Sequence, residues 1–317
     1  MTGRLPDPLR ASVEAALATL GPQSGSPRRI VSHQPVGGGC IHNGCRIASD
    51  DGAVYFLKWN RALPPDMFEA EADGLEALRD GCDLRVPEPL AWSDDNADSF
   101  QWLLMEYVAA GTAGPDSAPA LGRGVARLHG MDGPDEAGGT EGMDPPTTFG
   151  WRRSNWIGSL PQANPETPSW GCFWRDARLR PQLERARSQG RLRDERFDRL
   201  LEKTPGALAH VRRAERLHGD LWSGNTFVSR EGEPVLIDPA VYRGDGEVDL
   251  AMSELFGGFE RGFYEAYDTV RSISVEYRSY ARDLYQSYYL LVHVNLFGAS
   301  YEAGTRASAD RVLAELG

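Results

Sequence analysis

The stretch HGDLWSGNTFVSREGEPVLID, residues 218–238, decides how the rest of this chain is interpreted. Asp220 and Asn225 lie five residues apart in a short loop, and Asp238 comes thirteen residues after Asn225, directly behind the apolar run 234–237. Kinase catalytic loops present a carboxylate, an amide and a second carboxylate in this order. The spacing therefore predicts a phosphoryl-transfer centre.

The three side chains match the roles that phosphoryl transfer requires. Asp220 would accept the proton of the attacking hydroxyl, while Asn225 and Asp238 would hold Mg²⁺ against the phosphates of ATP. In an alternative interpretation the three are unrelated, namely a tight turn, a turn residue and a helix N-cap before Pro239. The flanking strand-like runs favour the kinase interpretation, because motif and context agree.

Differences from protein kinases narrow the class. Gly219 follows His218 where a protein kinase has arginine, and Pro239 and Ala240 follow Asp238 where it has Phe-Gly. No Ala-Pro-Glu motif comes later in the chain. These differences favour a small-molecule kinase.

Chain length, charge and composition limit the classes of protein to which this chain can belong. At 317 residues the chain exceeds one typical core, which favours two packed lobes. A net charge of -12 disfavours nucleic acid or an anionic membrane as a partner. No apolar run approaches the roughly 20 residues of a spanning helix, and Met1–Pro8 does not resemble a signal peptide, so we expect a cytoplasmic protein. The four cysteines form no C-x-x-C pair and are expected to be free thiols.

The first third of the chain predicts a nucleotide-binding lobe. After an amphipathic helix over 6–20, a glycine-rich hairpin over 36–47 could bring backbone N–H groups to phosphate oxygens. The next strand ends in Lys58, where the phosphate-contacting lysine of a kinase would stand. A helix over 67–78 would supply its acidic partner, Glu71 or, as the alternative, Glu69. Taken singly, the glycine-rich hairpin could equally be a flexible turn, and Lys58 could be an ordinary lysine at the end of a strand that extends its ammonium group to solvent.

A strand over 100–108 is followed by a linker-like run, Ala-Ala-Gly-Thr-Ala-Gly-Pro, which predicts a hinge. The backbone of Glu106, Tyr107 and Val108 is expected to hydrogen-bond adenine. We therefore predict an α+β, bilobal, protein-kinase-like fold. Its N-lobe, 1–108, would hold an antiparallel sheet plus helix, and its C-lobe, 109–317, would be mostly helical, beginning with a helix over 118–129.

An aromatic insert over 149–186 carries four tryptophans among prolines, glycines and amides. Aromatic faces beside amides can bind a sugar or an amine, or they can pin an irregular loop to the helical lobe. Beyond the catalytic stretch, a loop leads into a helix through residue 252, and Asp249 is expected to bond back to the catalytic loop. His293 is expected to be a satisfied core or surface histidine rather than a catalyst.

These motifs resemble the fructosamine kinase (ketosamine-3-kinase) family, a branch of the aminoglycoside phosphotransferase-like group with a protein-kinase-like fold. The resemblance runs from about Val36 to Tyr301. It implies that ATP phosphorylates the 3-hydroxyl of a ketosamine and that the unstable product releases its amine, which reverses glycation. The pieces that carry it are residues 37–41, 67–71, 157–170, 218–225, 238–242, 247–252 and 255–259.

The resemblance also implies individual roles. Asp220 would be the catalytic base, Trp222 an aromatic beside the sugar, and Asn225 and Asp238 the magnesium ligands. Two positions depart from the family pattern, Arg153-Ser154 before Asn155 and Arg243 after Tyr242, and both could alter the sugar or amine preference. The expected nucleotide contacts are Gly37, Gly38, Gly39, Cys40, Lys58, Glu71, Glu106, Tyr107 and Val108. The expected acceptor contacts are Asp220, Trp222, Trp156, Gln162 and Asn164.

Cys40 has two interpretations. In the family a cysteine at this position is associated with redox-controlled dimerisation, which implies a monomer or a Cys40-linked homodimer; the alternative is an inert residue filling the loop. Two rival functions stay open as well. One is another small-molecule kinase acting on an aminoglycoside, choline or a free sugar, and the other is a non-catalytic nucleotide-binding module.

Overall fold

The fold is that of a computed structural model, which describes residues 4–20, 28–37, 42–61, 63–64, 66–80, 83–93, 100–130 and 148–317. Within these ranges every helix is too short or too polar to span a lipid bilayer.

Five antiparallel strands form the sheet of the N-terminal part, in the order β1-β2-β3-β5-β4. Their bounds are Ile30–Pro35 (β1), Asn43–Ser49 (β2), Val54–Arg61 (β3), Pro89–Trp92 (β4) and Phe100–Glu106 (β5). The antiparallel pairing of β1 with β2 confirms the predicted hairpin. The strand predicted over 100–108 ends two residues early, and 107–109 leave the sheet.

Alternate residues of the strands face two different helices, because side chains alternate across a sheet. On one face, Leu57 and Leu104 pack against α1, Asp7–Thr19, whose Leu9, Val13 and Leu17 are fully buried. On the other face, Leu103 and Met105 pack against α2, Met67–Arg79. Lys58 follows Leu57 and therefore points toward α2.

The described residues after β5 are mostly helical, as predicted. Its strands are Asn155–Ile157 (β6), Leu160–Gln162 (β7), Glu215–Leu217 (β8), Thr226–Val228 (β9), Pro234–Leu236 (β10) and Tyr242–Gly244 (β11). Its helices are Ser117–Gly130 (α3), Trp170–Phe173 (α4), Arg180–Ser188 (α5), Arg196–Ala207 (α6), Glu247–Leu255 (α7), Arg261–Val270 (α8), Arg282–Phe297 (α9) and Glu302–Leu316 (α10). A π-helical turn over Trp174–Leu179 joins α4 to α5.

Nested strand pairs bring the catalytic residues together. Strand β8 pairs with β11, and β9 pairs with β10, which lie between them in sequence. The two connecting segments, 218–225 and 237–241, must therefore run side by side. We call them the catalytic loop and the Asp238 segment.

Two of the four insert tryptophans belong to the core of the helical part. Trp170 and Trp174 are 1% and 0% exposed, and their rings contact Tyr285. The indole N–H of Trp170 donates to the Tyr285 hydroxyl at 3.0 Å. For these two residues the packing alternative is confirmed, because their buried rings hold the insert on the helices.

Candidate active site

Gly219 allows the catalytic loop to run against the Asp238 segment. Its φ of +81° lies in the left-handed region that favours glycine, and a Cβ there would stand 2.1 Å from the carbonyl oxygen of Ala240. The N–H of Ala240 donates to the carbonyl of His218 at 2.8 Å. The loop and the segment are thus joined directly through their backbones.

Asp249 fixes the catalytic loop from the helical side. Its carboxylate accepts the backbone N–H of His218 at 2.7 Å and that of Gly219 at 2.9 Å, which confirms the expected bond back to the loop. His129 Nε2 lies 3.1 Å from Asp249, and His129 Nδ1 lies 2.8 Å from the Tyr267 hydroxyl. Burial lowers the pKa of His129, so the neutral ring donates to Asp249 and accepts from Tyr267.

Asp220 and Asn225 stand in contact within the loop. The Asn225 amide N–H₂ donates to the main-chain oxygen of Asp220 at 2.8 Å and to its carboxylate at 3.1 Å. Burial raises the pKa of Asp220 to about 7, against the opposing effect of the Asn225 hydrogen bond, and the charges of Asp238 and Asp249 raise it further. A carboxylate with such a pKa is suited to accept a hydroxyl proton near neutral pH.

Asp238 sits beside this pair in a left-handed conformation, with φ +55°. The Asn225 amide N–H₂ reaches its carbonyl oxygen at 3.4 Å. Strand β11, not a helix, follows the Asp238 segment, so the interpretation of Asp238 as a helix N-cap is wrong. Asp220, Asn225 and Asp238 therefore form one cluster, as their spacing predicted.

Lys58 joins the sheet to this cluster. Its ammonium contacts the carboxylate of Asp238 and lies 2.6 Å from that of Glu71 on α2. Burial disfavours the charged form, but Asp238 and Glu71 raise the pKa of Lys58 above its ordinary value. Glu69 pairs instead with Arg153 at 3.2 Å. The choice of Glu71 over Glu69 as the partner of Lys58 is confirmed.

Only part of the predicted nucleotide site lies among the described residues. Gly37 is exposed with open space around it, whereas Gly38, Gly39 and Cys40 fall outside the described ranges. At the hinge, the N–H of Glu106 donates to the carbonyl of Glu88, and its side chain contacts Arg85. The N–H of Glu106 is therefore occupied, which leaves its carbonyl oxygen as the predicted backbone contact to adenine. Tyr107 and Val108 are half-buried and remain predicted contacts.

The donor set around Asp238 fits a magnesium ion. A carboxylate and an amide oxygen are hard ligands of the type that Mg²⁺ prefers, and Mg²⁺ usually takes one or two protein ligands plus phosphate oxygens. Among the described residues, no three His, Cys, Asp or Glu side chains are grouped to hold a metal by themselves. Asn225 and Asp238 would hold the ion together with a nucleotide.

Two accessible aromatic side chains, Trp222 in the catalytic loop and Phe256 just after α7, are together called the aromatic wall. Trp222 is half-buried, and its ring covers Gly224 so closely that a Cβ there would lie 2.3 Å away. Gly258 approaches Ser223 of the loop, and the ring of Phe256, two residues earlier, lies 4.6 Å from that of His293 between centroids, in a tilted arrangement. Phe256 is 43% exposed. The sequence analysis named Trp222 but missed Phe256, because Phe256 lies in a turn distant in sequence from the catalytic loop. His293 packs among aromatic rings.

Three predicted acceptor residues lie in the insert, and two of them are inaccessible. Gln162 and Asn164 are 1% and 3% exposed. Gln162 donates to Asn155 at 2.8 Å and accepts from the Tyr288 hydroxyl at 2.6 Å. Asn164 accepts from the buried Arg178 at 2.6 Å. Their burial does not support substrate contact, because both amides donate to Asn155 within the insert.

Trp156, the third predicted acceptor residue, is half-buried. Its indole N–H donates to the Asp66 carboxylate at 3.1 Å, at the start of α2. This contact directs the insert toward α2.

The described thiols fit the expectation of free cysteines. Cys45 and Cys172 are unpaired with each other, and burial raises the pKa of Cys45 to about 11. Such a thiol is a packing residue rather than a nucleophile.

Comparison with known proteins finds one family over almost the whole chain. A model of the family described as fructosamine kinase matches residues 13–315. A Synechocystis protein described as a probable ketoamine kinase is 40% identical over 281 residues, covering 88% of this chain and 89% of its own. The chloroplastic protein-ribulosamine 3-kinase of Arabidopsis thaliana is 35% identical, covering 91% and 85%.

Solved structures agree in fold. A candidate fructosamine-3-kinase from Haemophilus somnus superimposes with a TM-score of 0.80 at 25% identity, covering 95% of this chain and 96% of its own. The choline kinase of Streptococcus pneumoniae has a TM-score of 0.56 at 12% identity, covering 97% and 98%, and shares the fold alone. The predicted α+β, protein-kinase-like fold is thereby confirmed.

Proposed function

This chain belongs to the fructosamine kinase family, and on that premise we propose that it transfers the γ-phosphoryl group of ATP to the 3-hydroxyl of a ketosamine. The observation that carries the proposal is the cluster of Asp220, Asn225 and Asp238, joined to Lys58, in a chain that matches the family over nearly its full length. The relatives named ketoamine kinase and ribulosamine 3-kinase supply the substrate class.

Each residue of the cluster has a role in this reaction. Asp220 orients the sugar hydroxyl and takes its proton, and its raised pKa suits a base that works near neutral pH. Lys58, held between Glu71 and Asp238, offers a fixed positive charge to the phosphates. When bound at Asn225 and Asp238, Mg²⁺ neutralises charge that develops on the transferred group.

The aromatic wall is where the acceptor would bind. Trp222 belongs to the catalytic loop, and the exposed Phe256 lies two residues before Gly258, which approaches Ser223 of that loop. Aromatic faces can pack against sugar C–H groups or a cationic amine. We infer that the amine carrier of the ketosamine binds beside the aromatic wall. The new phosphate is on C3, next to the ketone carbon C2, while the amine is on C1. Loss of a proton from C1 and departure of inorganic phosphate from C3 leave an unsaturated imine at C1, and water hydrolyses that C–N bond to release the amine.

The test is magnesium-dependent ATP consumption with fructose-lysine, ribulose-lysine and erythrulose-lysine, and in parallel with kanamycin, choline and free ribulose. Phosphate located by NMR on the 3-oxygen of a ketosamine establishes the proposal. Turnover of only the other acceptors overturns the substrate class but keeps the kinase. ATP binding without turnover of any acceptor overturns both and leaves the non-catalytic module.

Three finer features belong to the proposal and await their own tests. We propose the division into lobes at residues 108 and 109, and the end of β5 at Glu106 supports it. We infer the cytoplasm as the site of action because the reaction consumes ATP. The Cys40-linked dimer stays a prediction that non-reducing electrophoresis of Cys40→Ser can check.

A further inference from the structure

The first residues of the insert, 149–157, form what we call the insert arm, and they contact α2 directly. The indole N–H of Trp151 donates to Asp73 at 2.8 Å, and Arg152 lies 2.6 Å from the same carboxylate. Both partners of the first contact are largely inaccessible, with Trp151 8% exposed and the Asp73 side chain 15% exposed. Hydrogen bonds between a charged group and a sheltered donor are among the stronger ones in proteins.

More exposed contacts continue along the same face of α2. Arg153 pairs with Glu69 at 3.2 Å, and Trp156 donates to Asp66 at the start of the helix. Glu69 and Asp73 are four residues apart and so share one helix face. The insert arm therefore covers that face over about two turns.

Other residues of the insert arm are fixed to the backbone near the active site. Gly150 and Arg243 exchange backbone hydrogen bonds of 2.9 and 2.8 Å, just after the Asp238 segment. Asn155 donates to the carbonyl of Val241 within that segment, also at 2.8 Å. The insert arm thus connects α2 to the strand that follows Asp238.

The opposite face of α2 performs the chemistry. Glu71 stands two residues from Asp73, about 200° around the helix, and holds Lys58 at 2.6 Å. Gly74, on the same side as Glu71, approaches the Pro239 ring so closely that a Cβ would lie 3.1 Å from it. A small rotation of α2 would therefore move Glu71 away from Lys58 and open the contact beside Asp238.

We propose that the insert arm is a positioning element for nucleotide binding, with Asp73 and Trp151 as its positioning residues. By holding one face of α2, it keeps Glu71 on the other face in contact with Lys58, so the lysine is already aimed at the phosphates before ATP arrives. This inference rests on the proposed kinase function. It needs no particular acceptor, however, because it concerns ATP alone.

The experiment measures magnesium-dependent ATP binding by calorimetry in the absence of any acceptor. Asp73→Ala and Trp151→Phe should each weaken ATP binding about tenfold, the scale of one lost charge-assisted hydrogen bond. Asp73→Asn keeps an acceptor oxygen for Trp151 and should stay within about twofold, because the exposed Arg152 contributes little. Trp151→Phe keeps the ring in the core, so it reports on the hydrogen bond even if Asp73→Ala folds poorly.

Two controls separate positioning from general stability. Asp198→Ala removes a two-bond ion pair with Arg187 that has no contact with α2, and it should leave ATP affinity unchanged. In a Glu71→Gln background the Asp73→Ala effect should disappear, because both changes act on the same pair. An Asp73→Ala protein that melts earlier but binds ATP normally would overturn the proposal. So would an effect that persists in full without Glu71.

Failure of the proposed function would look different. If no ketosamine is phosphorylated but the ATP affinities follow the expected order, the acceptor assignment falls and the role of the insert arm stands. If ketosamines are phosphorylated and Asp73→Ala binds ATP like the wild type, only the role of the insert arm falls.

Discussion

Replacing Gly219 by alanine tests the closest approach in the active site. A Cβ at this position would lie 2.1 Å from the carbonyl oxygen of Ala240, whereas non-bonded carbon and oxygen atoms rarely approach closer than about 3.3 Å. The catalytic loop and the Asp238 segment must then separate by about 1 Å. A misplacement of that size costs roughly 100-fold in rate. The left-handed backbone adds a stability cost of about 1 to 2 kcal/mol.

The assay is steady-state phosphoryl transfer, with the free energy of unfolding measured in urea. Gly232→Ala is the matched control, because Gly232 has a φ of +87° but open space around its Cβ position in the β9–β10 turn. We expect both variants to lose stability and only Gly219→Ala to lose kcat. A folded Gly219→Ala enzyme with kcat within about threefold of the wild type would refute the reasoning. An equal loss of kcat in Gly232→Ala would trace the effect to backbone strain instead.

Three further outcomes follow from the contacts in the site. Asp220→Asn should lower kcat by roughly 10²- to 10⁴-fold with little change in ATP affinity, because the amide keeps an oxygen for Asn225. Steady-state kinetics and calorimetry measure the two quantities, and a parallel loss of ATP binding would contradict the assignment of Asp220 as the base. Lys58→Met should weaken ATP binding and lower the free energy of unfolding by about 3 kcal/mol, because the change leaves Glu71 and Asp238 without their cation. Urea unfolding curves that match those of the wild type would count against this prediction. Burial raises the pKa of Glu215 to about 7 from its ordinary value of 4.5, against the charge of Arg271. The stability that the protonated Glu215 contributes is therefore fully present below pH 4.5 and is lost as the pH rises through 7. Glu215→Gln should therefore flatten the decline in the free energy of unfolding across that window, leaving the part due to Glu247, whose pKa burial also raises to about 7; an unchanged slope would contradict this.

The sequence alone was sufficient for features that lie within one short segment. Asp220, Asn225 and Asp238 could be assigned together because a single loop and hairpin carry all three, and their spacing fixes their proximity. The helices α1 and α2 were predictable for a similar reason, since the spacing of Leu9, Val13 and Leu17 follows one helix turn after another.

Contacts between distant segments required the tertiary structure. Glu69 and Glu71 are two residues apart and look alike in sequence, but they face opposite sides of α2, toward Arg153 and Lys58 respectively. Gln162 and Asn164 looked like sugar-binding amides. Only the tertiary structure shows that both are buried within the insert and already hydrogen-bonded to other buried side chains.

The pairing of Asp73 with Trp151 joins residues 78 positions apart, and the Phe256–His293 contact joins a turn to a helix. Such contacts depend on the packing of whole elements and leave no periodic signal in the chain. The sequence by itself therefore determined the cluster for which we propose phosphoryl transfer, because Asp220, Asn225 and Asp238 share one local segment. Tertiary structure decided how α2, the insert arm and the aromatic wall are placed around that segment, because side chains far apart in sequence meet only through the packing of the sheet and helices.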